Sequence, residues 1–263
     1  MKVRIISALI AIAILVPFLM IGGYPFAIVV GALSVWAYKE ILDLKKSHKD
    51  IPDMVKLLGL LSLIYLVLGN YGLNSLDFSV SYSRILLPLV IMLLPTVIYR
   101  KNKYTTQDAF YLIGAIFFIG ILFNLVIVIR NINVYLLLYL LCITVFTDTF
   151  AYLIGLLIGR HKMCPEISPK KTWEGAIAGL IGGTSVATIF YSNLLGNFSI
   201  KLLLITMLLS IIGQFGDLVF SKIKRENDIK DFSNIMPGHG GVLDRLDSLS
   251  FVIFVYVIAI WFL

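Results

Sequence analysis

Charge is scarce in this sequence. Only 14% of its 263 residues are Asp, Glu, Lys or Arg, whereas soluble domains average about a quarter. With 59% hydrophobic residues and a mean hydropathy of +0.96, this excludes a soluble globular protein with a single membrane anchor. Cysteine is scarcer still. Cys142 and Cys164 are the only two, which argues against a disulfide framework. Neither stands in a Cys-x-x-Cys or Cys/His spacing that would hold zinc. No polar stretch is long enough for a soluble domain, and neither internal repeats nor low-complexity tracts are visible.

What fills the chain instead is a series of apolar runs. A membrane-spanning helix needs about 20 mostly apolar residues. The runs between charged or Gly/Pro/Asn-rich breaks lie at roughly 4–22, 24–42, 57–70, 84–99, 109–129, 134–158, 174–195, 200–220 and 248–263. The first begins after Lys2 and Arg4 and turns at Gly22-Gly23-Tyr24-Pro25 without a small-residue cleavage site. It is therefore expected to be a retained span. The fold expected is an all-α polytopic membrane protein with about nine transmembrane helices. Residues 1–130 would form an N-terminal set of about five spans. Residues 131–263 would form a C-terminal catalytic part with loops at 159–173 and 221–247.

The basic residues set an expected orientation. With the N-terminus in the cytoplasm and the C-terminus outside, nineteen of the 22 Lys and Arg fall on the cytoplasmic side. Only Arg84, Arg130 and Lys201 fall outside, as the positive-inside rule demands. Every long polar loop then faces the compartment that holds nucleotides. The net charge of +7 fits either orientation signals alone or an anionic substrate.

The polar residues concentrate between Asp217 and Asp247. Asp217 is expected to end an apolar helix, with Ser221, Lys224 and Arg225 following at helical spacing on the same face. Asp244 and Asp247 share a face at the start of the last run. Clustered carboxylates repel unless a cation or proton lies between them, and hard oxygen ligands suit Mg²⁺. Neighbouring cations suit the phosphates such a metal would carry. The turn Gly238-His239-Gly240-Gly241 lets backbone N–H groups approach a phosphate closely. A basic loop that only obeys orientation rules would explain the lysines, but neither the aspartates nor the glycines.

Ser221-Lys-Ile-Lys224-Arg225, Lys230-Asp231 and Pro237-Gly238-His239-Gly240-Gly241-x-x-Asp244-Arg245-x-Asp247 together resemble the signature of the bacterial phosphatidate cytidylyltransferase family. That resemblance implies transfer of a cytidylyl group from CTP to phosphatidate, giving CDP-diacylglycerol and pyrophosphate. It implies a cytoplasm-facing site in the bacterial inner membrane, dependence on Mg²⁺ (alone or with a second cation), and a homodimer. The expected partners are CTP, phosphatidate and the bilayer, with no nucleic acid. Asp217 and Asp244 would hold the metal, and Asp247 would be a third ligand or a partner of one. Lys224, Arg225, Lys230 and Arg245 would clamp phosphates, beside Ser221 and Asp231. His239 would bind a phosphate, act as an acid, or only orient the turn.

Two further regions join the candidate site. Ser168-Pro169-Lys170-Lys171-Thr172 precedes the seventh run. It reads either as an orientation signal with a helix cap or as an anion site at a helix N-terminus. It is similar to a Ser-Pro-Lys-Lys-Thr segment of the same family, which favours substrate binding by Ser168, Lys170, Lys171 and Thr172. Asp148 lies inside the sixth run, where an ionisable residue is costly and marks function by default. The alternative is an Asp hydrogen-bonded to a hydroxyl on a neighbouring helix. Gln214 is expected to line the same cavity as Asp217, and Asn124 to join helices. Gly175, Gly179 and Gly183 read as a packing stripe, as do Gly155 and Gly159. His48 and His161 are expected to be solvated, and Tyr24, Trp36, Tyr38, Tyr99 and Trp173 to be interfacial anchors.

Two other classes fit the sequence less well. A secondary transporter would suit the many spans and Asp148, but the polar residues gather at one end of the spans and no repeated halves are visible. The Asp-x-x-Asp-Gly-x-x-Ala-Arg pattern of CDP-alcohol phosphotransferases is absent, since Ser248 follows Asp247.

Overall fold

The computed structural model describes residues 13–46, 50–69, 82–99, 103–235, 238 and 240–260. Apolar runs become helices because lipid cannot satisfy backbone N–H and C=O groups, so each segment must satisfy its own. The helices are α1 (13–21), α2 (Gly23–Lys46), α3 (Asp53–Leu68), α4 (Tyr82–Leu93), α5 (Pro95–Ile98), α6 (Thr106–Ile132), α7 (Val134–Ile158), α8 (Trp173–Leu194), α9 (Ile200–Glu226) and α10 (Leu243–Ala259). Among the described residues, five segments are long and apolar enough to cross a membrane: Gly23–Leu44, Thr106–Ile132, Val134–Ile158, Trp173–Leu194 and Ile200–Glu226. The chain is thus an all-helical polytopic membrane protein, with one small hairpin among the described residues. That hairpin, which the helical pattern did not foretell, pairs β1 (Lys162–Cys164) with β2 (Ser168–Thr172) in antiparallel register, Lys162 opposite Thr172.

Local chemistry sets several boundaries. The run expected over 84–99 divides into α4 and α5 at Pro95, which cannot donate to a carbonyl one turn back. Asn133, Thr172 and Ser199 cap α7, α8 and α9, their side chains accepting from Tyr135, Gly175 and Leu202 N–H, so each satisfies an orphan donor of its helix. Asp217 does not end its helix as expected. α9 runs on to Glu226, because the polar residues after Asp217 are good helix formers with no Gly or Pro among them.

The chain forms two compact units. One holds the residues up to Ile132 together with Phe232–Val242, and the other holds Asn133–Asp231 and the chain from Leu243. In the first unit α6 packs against α2, α3 and α4. Asn124 donates to Val67 O at 2.9 Å, joining α6 to α3. Tyr38 proves to be 2% exposed and not an interfacial anchor. Its hydroxyl fills the space where Gly59 has no Cβ and points to Lys56 O at 3.4 Å.

In the second unit α7 and α8 pack closely along the glycine stripe. A Cβ on Gly179 would lie 2.6 Å from Thr147 O, one on Gly175 2.6 Å from Ala151 O, and one on Gly183 would meet the Thr147 hydroxyl. Small residues allow this approach where no hydrophobic effect drives helices together. Hydroxyl pairs tie α7 to α9: Tyr139 to Thr206 at 2.7 Å and Thr147 to Ser210 at 2.8 Å.

Candidate active site

The polar residues of the second unit gather where α9 and α10 meet. Gly213 and Gly216 let α10 approach: a Cβ at 216 would stand 2.8 Å from Asp247 O and 2.9 Å from the Phe251 ring, and one at 213 would stand 3.0 Å from Val252. The first turn of α10 is thereby held beside the stretch of α9 that carries Asp217. One helical turn on, Ser221 donates to Asp217 Oδ1 at 3.3 Å. Two turns on, Lys224 reaches Asp244 Oδ1 at 2.7 Å, with side chains only 10% and 2% exposed. Lys224 also interacts with the carboxylate of Asp247, which in turn feels Asp217 and Asp148.

The hairpin and α7 supply the other wall. Lys171, on β2, places its ammonium 2.7 Å from Asp217 Oδ2 and donates to Gln214 O at 3.3 Å. Gln214 Nε2 donates across to Ala176 O on α8. Asp148, on α7, accepts a long bond from Ser248 Oγ at 3.5 Å and interacts with Asp217, Lys171 and Arg245. Asp148 thus has a hydroxyl partner on α10 and also faces the cluster.

Four carboxylates, of Asp148, Asp217, Asp244 and Asp247, thus interlock with Lys171, Lys224 and Arg245. Asp148, Asp217, Lys171, Thr172 and Gln214 open onto a cavity of about 640 Å³, a size typical of ligand pockets. Lys162, Lys170, Tyr152, Leu156 and Met163 also line it. Its lining mixes charged side chains with apolar ones, which suits a ligand with both characters.

Not every expected residue joins this cluster. Arg225 is exposed and donates to Ile229 O at 3.1 Å, closing the turn after α9. Lys230 and Asp231 are exposed in that turn, and Ser168 sits at the far end of β2, opposite Cys164. Gly240 and Gly241 belong to the first unit, and His239 lies outside the described residues, as does His48. His161 is not simply solvated. Its Nδ1 meets Glu174 Oε1 at 2.6 Å, and the same carboxylate accepts the Arg160 and His161 N–H groups, tying the hairpin to the start of α8.

Two residues were missed. By sequence Lys162 reads only as an orientation charge, and the pairing of β1 with β2 brings it to the cavity. Glu40, on α2, is 1% exposed. An acidic residue at the end of an apolar run was the available signal.

The carboxylates suit a divalent cation by donor chemistry. Among the described residues no three His, Cys, Asp or Glu side chains form a ready-made cage. Mg²⁺ does not need one, since it keeps several waters and takes one or two carboxylates plus substrate phosphates.

Comparison with known proteins agrees with the signature. The model of the cytidylyltransferase family matches residues 2–263. Phosphatidate cytidylyltransferase of Bacillus subtilis (strain 168) is 39% identical, covering 96% of this chain and 94% of its own. The proteins of the same name from Staphylococcus haemolyticus (strain JCSC1435) and Staphylococcus aureus (strain COL) are 36% and 35% identical, each alignment covering 96% of both chains.

Proposed function

The chain belongs to the cytidylyltransferase family, and on that premise we propose that it is a phosphatidate cytidylyltransferase. It transfers the cytidylyl group of CTP to phosphatidate, yielding CDP-diacylglycerol and pyrophosphate. The observation that carries this reading is near-complete coverage, at 35–39% identity, by relatives bearing that name. The interlocked Asp and Lys cluster beside a cavity lined by both charged and apolar side chains supports it.

The chemistry follows from charge. A phosphate oxygen of phosphatidate attacks the α-phosphorus of CTP, and the bond from that phosphorus to the bridging oxygen of the β-phosphate breaks. The nucleophile is already an anion near neutral pH, so it needs little help from a base. The barrier is chiefly repulsion between two polyanions, together with the need to hold them in line. Lys170, Lys171 and Lys162 at the cavity present cations to those phosphates. Lys224 and Arg245 lend positive charge beside Asp244, Asp247 and Asp148. Such preorganised charges act most strongly where water is scarce. Mg²⁺, held by Asp217 and Asp244, would offset phosphate charge and help align the reacting groups. Asp247, which interacts with both Asp217 and Lys224, would orient them. The apolar side chains of Tyr152, Leu156 and Met163 would leave the acyl chains in the bilayer.

The finer topology belongs to the same proposal: nine crossings, N-terminus in the cytoplasm, C-terminus outside, a homodimer in the bacterial inner membrane. The division of Lys and Arg between alternate loops supports the orientation, and the family signature supports the rest.

The test is an assay of purified protein in mixed micelles with phosphatidate, CTP and Mg²⁺. CDP-diacylglycerol formed by the wild type and lost by several orders of magnitude in Asp244→Asn is the expected result. An Asp244→Asn enzyme of near-normal rate would sink the assignment of that carboxylate.

A further inference from the structure

Glu40 is a buried carboxylate that the mechanism above does not use. It lies on a membrane-crossing helix of the first unit, where a charged side chain is costly and calls for a purpose. Its Oε1 accepts from Ser233 Oγ at 2.6 Å and from Val242 N–H at 2.9 Å. These two donors bracket the glycine-rich segment. Within it Gly238 and Gly240 have φ of +78° and +82°, which side chains resist. Gly241 is glycine for a different reason. A Cβ there would collide with Glu40 Oε1 and lie 2.6 Å from its Cδ and 2.7 Å from Ser233 Oγ. The carboxylate itself fills the space. Val242 is followed directly by Leu243, the first residue of α10, and the next turn carries Asp244, Arg245 and Asp247.

We propose that Glu40 is a positioning residue for cytidylyl transfer. It latches both ends of the glycine-rich segment and thereby fixes the backbone at Val242, the residue whose peptide bond leads directly into Leu243 and Asp244 at the start of α10. A carboxylate suits the task because hydrogen bonds to a charged acceptor are roughly twice as strong as neutral ones. This inference rests on the function proposed above.

Activity of purified Glu40→Ala, Glu40→Gln, Gly241→Ala and Glu40→Ala/Gly241→Ala tests it. A displacement of about 1 Å at a reacting centre costs about 100-fold, so Glu40→Ala should lose about that factor in kcat with little change in KM for either substrate. Glu40→Gln keeps an acceptor oxygen and should recover most of the loss. Gly241→Ala alone should be impaired, and the double variant no worse than Glu40→Ala, because contacting residues are non-additive. Wild-type kcat in Glu40→Ala, a Gln variant as poor as the Ala variant, or additive losses in the double variant would overturn the latch. Should Glu40→Ala not fold, Ser233→Ala decides: a lowered kcat at unchanged KM supports the latch, and a wild-type kcat refutes it. A wild type that makes no CDP-diacylglycerol would instead overturn the functional reading itself.

Discussion

Replacing Lys224 with Met separates what its ion pair does for stability from what it does for the reaction. The ammonium and Asp244 Oδ1 are 2.7 Å apart, with side chains 10% and 2% exposed. Removing one partner of a buried pair costs about 3–5 kcal/mol, because the remaining charge stays desolvated. That is a large share of the 5–15 kcal/mol that holds a typical protein folded. Lys224→Met should therefore lower thermal stability in detergent, read as the monodisperse fraction surviving a heating series. Adding Asp244→Asn removes the stranded charge, and the double variant should recover much of the lost stability. Activity should behave differently. Loss of one preorganised cation costs about 2–4 kcal/mol of transition-state stabilisation, or roughly 30- to 900-fold in rate. Asp244→Asn should lower it further, so the double variant should be stable and inactive. A Lys224→Met enzyme as stable and as active as wild type would refute the reasoning.

Other perturbations follow from the same geometry. Lys162→Ala should raise KM for a phosphate-bearing substrate with kcat little changed, since Lys162 lines the cavity but does not join the Asp217–Asp247 cluster; steady-state kinetics with each substrate varied would check it. Gly216→Val should push α10 from α9 at Asp247 and reduce kcat in enzyme that still elutes as folded. Gly183→Leu should destabilise the α7–α8 contact by about 1–3 kcal/mol, the usual cost of overpacking, seen as a lower survival temperature in detergent. Arg225→Ala should change the rate far less than Lys171→Ala, because the first guanidinium serves the turn at Ile229 and the second cation meets Asp217.

The helices were legible because lipid imposes one rule on every crossing, and the apolar runs record it. Their lengths were less so. Pro95 divided one run, and α9 continued nine residues past Asp217, since no Gly or Pro interrupts those residues. The β1–β2 hairpin gave no periodic signal, as its strands of three and five residues are too short for alternation to show. Within the site, Asp217, Ser221 and Lys224 were foreseeable from helical spacing. The meeting of Lys171 with Asp217 was not, because it depends on how the hairpin folds onto α9. Glu40 was hidden for a related reason. Its partners Ser233 and Val242 lie nearly two hundred residues away, and no local pattern reports a contact at that range.

The central claim is that a cytidylyl group, and not a phosphoryl group, moves to a lipid. Parallel incubations of the purified wild-type protein with phosphatidate and CTP labelled on either the α- or the γ-phosphate test it most directly. Label from the α-phosphate should enter the lipid extract only when phosphatidate is present, while γ-label should remain in the aqueous phase as pyrophosphate. γ-Label in the lipid, or α-label failing to reach it, would contradict the account.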